Sequence, residues 1–217
     1  MLSTFSLDNA SEMSKWDEFV ESHPNGSPFH LSCWLHTIHE TYAFKPLLFV
    51  DKEENGAISG ILPCFLVKGL LTGKRMVSLP FSDYGGPLFR DPNKERDVLK
   101  EIIKEHESSV KYIEIRSPLV EDSGFVCHNY YKHHVLNLGS DLAALRKKMN
   151  KRTIQYSIRK AEKMGVEIRE ENNPYGMDEF YRLNMMTRKK HGVPSQPKLF
   201  FQKLLDHVVS TGMRLFF

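Results

Sequence analysis

Cysteine is scarce in this 217-residue chain: Cys33, Cys64 and Cys127 are few, odd in number and widely spaced. Such a set excludes the disulfide framework of a small secreted domain and suits reduced thiols in the cytosol. Long apolar runs are missing as well. The nearest to one, residues 57–67, is interrupted by Gly60 and Pro63 and falls far short of the ~20 residues that a membrane helix needs. The opening residues 1–15 have neither the basic start nor the apolar core of a signal peptide. No low-complexity tract or long Pro/Gly/Ser linker occurs. What is present is ordinary in bulk: 41% hydrophobic residues can build a packed core, and 26% charged residues are usual for a soluble protein. The length accommodates one large domain, or one and a half smaller ones. A soluble, cytoplasmic, globular protein is expected.

The unusual feature is where the positive charge lies. From Arg146 to Lys163, eight of eighteen residues are Lys or Arg and only Glu162 opposes them, a charge of +7. The remaining chain holds 22 basic and 26 acidic residues, or −4, so the overall +3 conceals a polarised molecule. A concentrated positive field repels itself and makes sense chiefly opposite an anion: phosphate, nucleic-acid backbone or acidic lipid headgroup. The plain alternative is a solvated helix face.

Periodicity orders the rest of the chain. A short strand is expected at 5–7 and a helix at 11–22, with Met13, Trp16, Phe19 and Val20 on its inner face. His23-Pro24-Asn25-Gly26 is turn chemistry. A second helix is expected at 31–42, and strands 47–51 and 57–67 form a hairpin about the polar turn 52–56. A strand at 75–79, a helix at 94–106 and strands at 111–116 and 135–138 complete this half. Further on, Leu142, Leu145 and Met149 share one helical stripe whereas Ile154, Ile158 and Ala161 share another, which places a break near 150–153. On the second helix Arg152, Gln155, Arg159 and Lys163 fall within ~80° of one another, opposite the apolar stripe. Gly165 ends that helix. A strand at 166–170, helices at 177–190 and 198–210 and a strand at 213–217 follow. Strand, helix, helix, strand therefore occurs twice, at 5–50 and again at 166–217. If the second unit breaks off after its second strand, it leaves an open sheet edge. The expectation is a piece of a longer protein, or a sheet completed through a partner.

Several motifs have a bland and a functional reading. Pro80 to Pro87 joins a strand to a helix; paired Gly85 and Gly86 permit close backbone approach, and Ser82, Asp83 and Tyr84 offer hydrogen-bonding groups. The alternative is a tight structural turn between two prolines. Gly69 to Arg75 is not a phosphate loop: the spacing is one residue short and no Ser or Thr follows Lys74. Cys33, His36 and His39 spread over ~120° of one helix and cannot converge on an ion, and neighbours His133 and His134 on a strand would point apart. Arg188 and His191 stand at a helix C-terminus, where cations suit the dipole; the functional reading makes them ligands beside a cleft. No nucleophile elbow is present, and the adjacency of Cys127 and His128 does not make a dyad.

Taken together these segments resemble the Fem-type aminoacyltransferases and their FemAB-like relatives. The resemblance is carried by Phe29-His30 with Trp34, by Gly60 to Pro63, and by Ser78 to Leu88. It continues through Lys151-Arg152, Ile158 to Val166, Phe180 to Leu183 and Thr187 to Pro194. It implies an α/β (α+β) fold of tandem domains like those of the GCN5-related N-acetyltransferases, with mixed sheets: residues 1–139 as the first domain and 140–217 as the N-terminal part of an incomplete second. It also implies amide-bond formation, with an aminoacyl or acyl group passing from an activated carrier to an amine of a cell-wall or polysaccharide precursor. The donor would be aminoacyl-tRNA or acyl-CoA, and no bound cofactor or metal is implied. Polyanionic substrates, a phosphorylated precursor or tRNA, and transient contact with the inner membrane face are the implied partners. Some Fem members carry a lysine about one turn after the tryptophan, where this chain reads Ile38-His39. The residues expected to meet substrate are Lys151, Arg152, Arg159, Lys160, Lys163, Ser82, Asp83, Tyr84, Gly85, Arg188 and His191; no catalytic residue is assigned. The reading that competes is a non-catalytic basic module that binds nucleic acid or anionic lipid.

Overall fold

The computed structural model describes residues 1–69, 73–118, 122–128, 134, 136, 138–168 and 170–212. In chain order its regular elements are β1 (Leu2–Phe5), α1 (Ala10–Ser22), α2 (Ser32–Tyr42), β2 (Lys45–Lys52), β3 (Ile58–Gly69), β4 (Gly73–Ser78), β5 (Leu88–Phe89), α3 (Pro92–His106), β6 (Ile113–Glu114), α4 (Leu142–Lys148), α5 (Tyr156–Lys163), α6 (Pro174–His191) and α7 (Lys198–His207). They fall into two compact units, Met1–Val126 with Asn172–Phe217, and Cys127–Glu171. Helices α6 and α7, which the division at 139/140 grouped with the basic segment, thus share a unit with the sheet. The α/β class holds: the first unit contains one mixed, six-stranded sheet.

Strand order is β1-β2-β3-β4-β6, antiparallel except for β4 with β6. The period of two along each strand sends alternate side chains to two cores. Leu48, Val50, Ile61, Phe65, Val67 and Val77 join Trp16, Phe19, Leu35, Ile38, Phe200 and Leu204 on the face covered by α1, α2 and α7. Phe49, Leu62, Cys64 and Met76 meet Val98, Leu99 and Ile102 of α3 on the other. With both faces covered, β3 reads as an almost continuous buried run.

The helix starts follow from capping chemistry. The Asn9 side chain accepts from the Ser11 and Glu12 amides, and Asp91 caps α3 with Pro92 in its first turn. Glu40 on α2 ties α7 in place: its carboxylate meets Lys203 Nζ at 2.6 Å and His207 Nε2 at 3.0 Å. The hydrogen bond from Lys203, supported by His207, pulls Glu40 down to about 2. The His36 ring stacks on His207.

The pairing of β3 positions the loop 79–87. Along one flank β3 is paired to β2 from Ile58 to Leu66; along the other it is paired to β4 from Cys64 to Gly69 and to β5 only at Gly60 and Ile61. The gap falls at Leu62 and Pro63, where proline supplies no backbone donor to lose. The chain leaves β4 at Ser78, loops through 79–87 and returns to β3 upstream of that gap.

Two strand expectations change. The first strand spans Leu2–Phe5 rather than 5–7. Residues 166–168 and 170 are irregular, because no neighbouring strand among the described residues offers them a ladder. The strand expected at 213–217 lies outside the described residues, as do positions 135 and 137 of the one expected at 135–138.

Candidate functional site

The loop 79–87 is held in an unusual backbone shape. Leu79 and Phe81, both large, take left-handed φ values of 40° and 65°, which costs each on the order of 1 kcal/mol or more and persists only where the surroundings impose it. Those surroundings are visible. Trp34 Nε1 donates to the buried Ser82 Oγ at 2.7 Å, and Arg116 Nη1 donates to the Ser82 carbonyl at 3.0 Å. The Gly85 amide donates to the Arg116 carbonyl at 3.1 Å, and the Arg116 amide donates to Ser78 Oγ at 2.8 Å. At Gly85 a methyl group would stand 2.5 Å from Leu79 Cβ, and at Gly86 one would stand 2.2 Å from Ser117 Cβ. The paired glycines are therefore required by packing of the loop on itself and on residues 116–117.

His30 clamps the other side. Its ring is fully buried, with Nε2 3.0 Å from the Gly86 carbonyl and Nδ1 2.7 Å from Ser27 Oγ, while the His30 carbonyl accepts from Trp16 Nε1 at 2.7 Å. Burial disfavours the imidazolium and lowers His30 to about 4. The Tyr84 ring lies edge-on to His30, and burial, with the Glu95 charge, raises its phenol above the usual range. Asp83 is exposed. So of the four loop residues expected to meet substrate, Ser82 and Gly85 are spent on structure, and Asp83 and Tyr84 keep a side chain on offer.

Phe81 turns outward and stacks on Tyr42, ring centroids 4.5 Å apart, with Phe44 and Phe200 behind. The Tyr42 hydroxyl donates to Gln196 Oε1, which joins the segment after α6 to this aromatic group; burial pushes the phenol up to about 12. Arg188 and His191 lie exposed in the last turn of α6, where Gly192 at φ 66° closes the helix and the Val193 amide returns to the Arg188 carbonyl at 3.0 Å.

The basic segment stands in the second unit. The break expected at 150–153 is present: α4 ends at Lys148, and the Asn150 side chain accepts from the Arg152 and Thr153 amides at 2.9 and 3.1 Å to start a π-helical turn that runs into α5. Gly165, at φ 72°, ends α5 as expected. Lys151, Arg152, Arg159, Lys160 and Lys163 are all exposed. Gln155 leaves the polar wall drawn for it: its amide donates to the Arg146 and Met149 carbonyls, each at 2.9 Å, and so stitches the end of α4 to α5. Glu162 pairs with Arg146 at 3.5 Å. A shallow depression in this unit is lined by Leu138 to Asp141, Ala144, Leu145 and Lys148, and by none of those five cations. They present an open cationic face.

Tyr156 was not singled out from the sequence. It is exposed and precedes Arg159, Lys160 and Lys163 by three, four and seven residues, so the four share one face of α5. The signal was available: an aromatic residue at helical spacing from three cations.

Burial raises the thiols of Cys33 and Cys64, which opposes thiolate formation. Among the described residues no group of three or more His, Cys, Asp or Glu side chains is arranged to hold a metal ion.

Comparison with known proteins bears on part of this picture. Residues 129–210 match the FemAB family, a stretch that includes α4 to α7 and leaves the loop 79–87 outside. No curated protein matches the chain significantly. Among solved structures, a mutant of the BH1408 protein from Bacillus halodurans is similar at 15% identity and a TM-score of 0.38, over 63% of this chain and 99% of that one.

Proposed function

We propose, taking the FemAB match over residues 129–210 as the premise, that the chain belongs to an amide-forming acyltransferase of the Fem type. It would pass an aminoacyl or acyl group from aminoacyl-tRNA or acyl-CoA to an amine of a cell-wall or polysaccharide precursor in the cytoplasm. The observation that carries this reading is the coincidence of the matched stretch with the cation-rich segment. In it Lys151, Arg152, Arg159, Lys160 and Lys163 meet the phosphates of a polyanionic substrate, Arg by paired N–H donors and Lys as a point charge. In the sheet unit, Asp83 and Tyr84, on a loop held by Trp34, His30 and Arg116, are candidates for substrate contact in their own right, as are Arg188 and His191. Attack of an amine on an activated ester or thioester needs chiefly approach and orientation, which an anchor for the substrate's phosphates promotes. This accounts for a site without a nucleophile–base pair. Tandem acetyltransferase-like domains belong to the same proposal.

The test is a transfer assay with radiolabelled aminoacyl-tRNA and acyl-CoA against a panel of amine acceptors. The expected result is a labelled amide with one donor, lost in Arg159→Glu/Lys163→Glu with the circular dichroism spectrum unchanged. No product from either donor, together with salt-steep binding to any nucleic acid duplex, would favour the non-catalytic basic module instead.

A further inference from the structure

Resting on the transferase reading, we infer that Phe81 is a platform on which the adenine ring of the acyl donor stacks, with Asp83 accepting from its exocyclic amine. The rings of Phe44, Tyr42 and Phe81 form a column. Tyr42 stands 5.3 Å from Phe44 with planes 18° apart, and 4.5 Å from Phe81 with planes 29° apart. Tyr42 thus covers one face of the Phe81 ring, and Phe200 meets it edge-on. Phe81 nevertheless keeps 42% of its full accessibility, so the outer face of the column's last ring is open.

That ring is held against its backbone preference. At φ 65° Phe81 occupies a region that suits glycine, and Leu79 is strained alike at 40°. Strain of this kind gathers at ligand clamps, where the surroundings fix a side chain before the ligand arrives. Here the next residue does so: Ser82 is buried, takes the Trp34 indole donor and has its carbonyl held by Arg116. An open aromatic face takes any planar base. Selection falls to Asp83, exposed two residues along the same loop, whose carboxylate only accepts. Adenine offers it the N6 amine, whereas uracil presents the O4 acceptor at the corresponding position. Aminoacyl-tRNA and acyl-CoA both carry an adenosine, which is the shared chemistry of the two donors.

The experiment titrates the full chain with adenosine and uridine 5′-monophosphates by isothermal calorimetry. Tighter binding of the adenine nucleotide is expected. Phe81→Ala should weaken it by roughly tenfold, as loss of one base–aromatic stack does, and Phe81→Trp should restore it. Asp83→Asn should cut the preference over uridine by roughly fivefold, since the amide can donate to O4. Displacement of the bound nucleotide by coenzyme A or by the trinucleotide CCA tells which donor supplies the adenine. Equal affinity for the two nucleotides, undiminished affinity in Phe81→Ala, or displacement by neither donor fragment would overturn the inference. The transferase reading fails separately. A Phe81-dependent adenine site in a chain that makes no amide from either donor keeps the platform and removes the transferase. Labelled amide formed with an unchanged donor KM in Phe81→Ala does the reverse.

Discussion

The sheet unit and the basic unit differ in what their side chains are used for. In the first, α1, α2, α3 and α7 each bury three or more residues against a six-stranded sheet, and polar groups such as His30 and Ser82 are buried with partners. In the second, neither α4, the π-helical turn nor α5 has one buried residue, and order comes from caps and from Gln155 bridging two carbonyls. A densely packed region can hold strained φ values at Leu79 and Phe81; a segment without a core can concentrate like charges, because its cations remain hydrated. Rigid positioning and a strong field are thereby allotted to different parts of the chain.

The contrast can be broken most forcefully at Trp34. Trp34→Ala should cost about 4 kcal/mol by urea unfolding, since it empties a core site and strips Ser82 of its donor. Loss of under 1 kcal/mol would show that the loop is not clamped as described. Next in size is the pH response of His30. An unfolded histidine takes its proton near 6.5 and the folded one only at about 4. The unfolded state therefore binds more protons in between, and stability is full above 6.5 and lost as pH falls towards 4. The loss should reach about 3 kcal/mol. His30→Gln, whose amide can still donate to the Gly86 carbonyl, should flatten the stability–pH curve in that window.

Smaller effects sharpen the other side. Asn150→Ala should destabilise the start of the π-helical turn by about 1 kcal/mol. It should appear as faster amide exchange at 151–163, with the exchange of β2 and β3 unaltered. Arg159→Glu/Lys163→Glu should move the melting midpoint least of all, within about 0.5 kcal/mol of wild type, while abolishing binding of polyanions. A large melting shift instead would mean that these cations serve structure.

Where a periodic pattern coincided with burial, the chain was legible. Met13, Trp16, Phe19 and Val20 marked α1, Val98, Leu99 and Ile102 marked α3, and the polar turn at 52–56 marked the β2–β3 hairpin. The change of stripe between Met149 and Ile154 located the helix break within the range where Asn150 caps it. Legibility failed where a partner decides. Val166 and Ile168 alternate as a strand would, yet the described residues around them offer no ladder. The sequence placed a helix at 198–210, but not Glu40 and Ile38 of α2 beneath it. Candidate site residues fared similarly: their chemical types were plain, whereas the diversion of Ser82 to Trp34 and of Gln155 to two carbonyls was not.

By itself the sequence determined composition-level and local properties: helix starts and stops, the hairpin, the break before α5 and the crowding of eight cations into eighteen residues. Each depends on neighbours a few positions away, so spacing is sufficient. Only the tertiary structure decided that β4 and β5 divide one flank of β3, that His30 and Arg116 grip the loop between them, and that Leu79 and Phe81 adopt left-handed backbone. Those outcomes join residues tens of positions apart, where packing and hydrogen bonding override what each segment prefers alone.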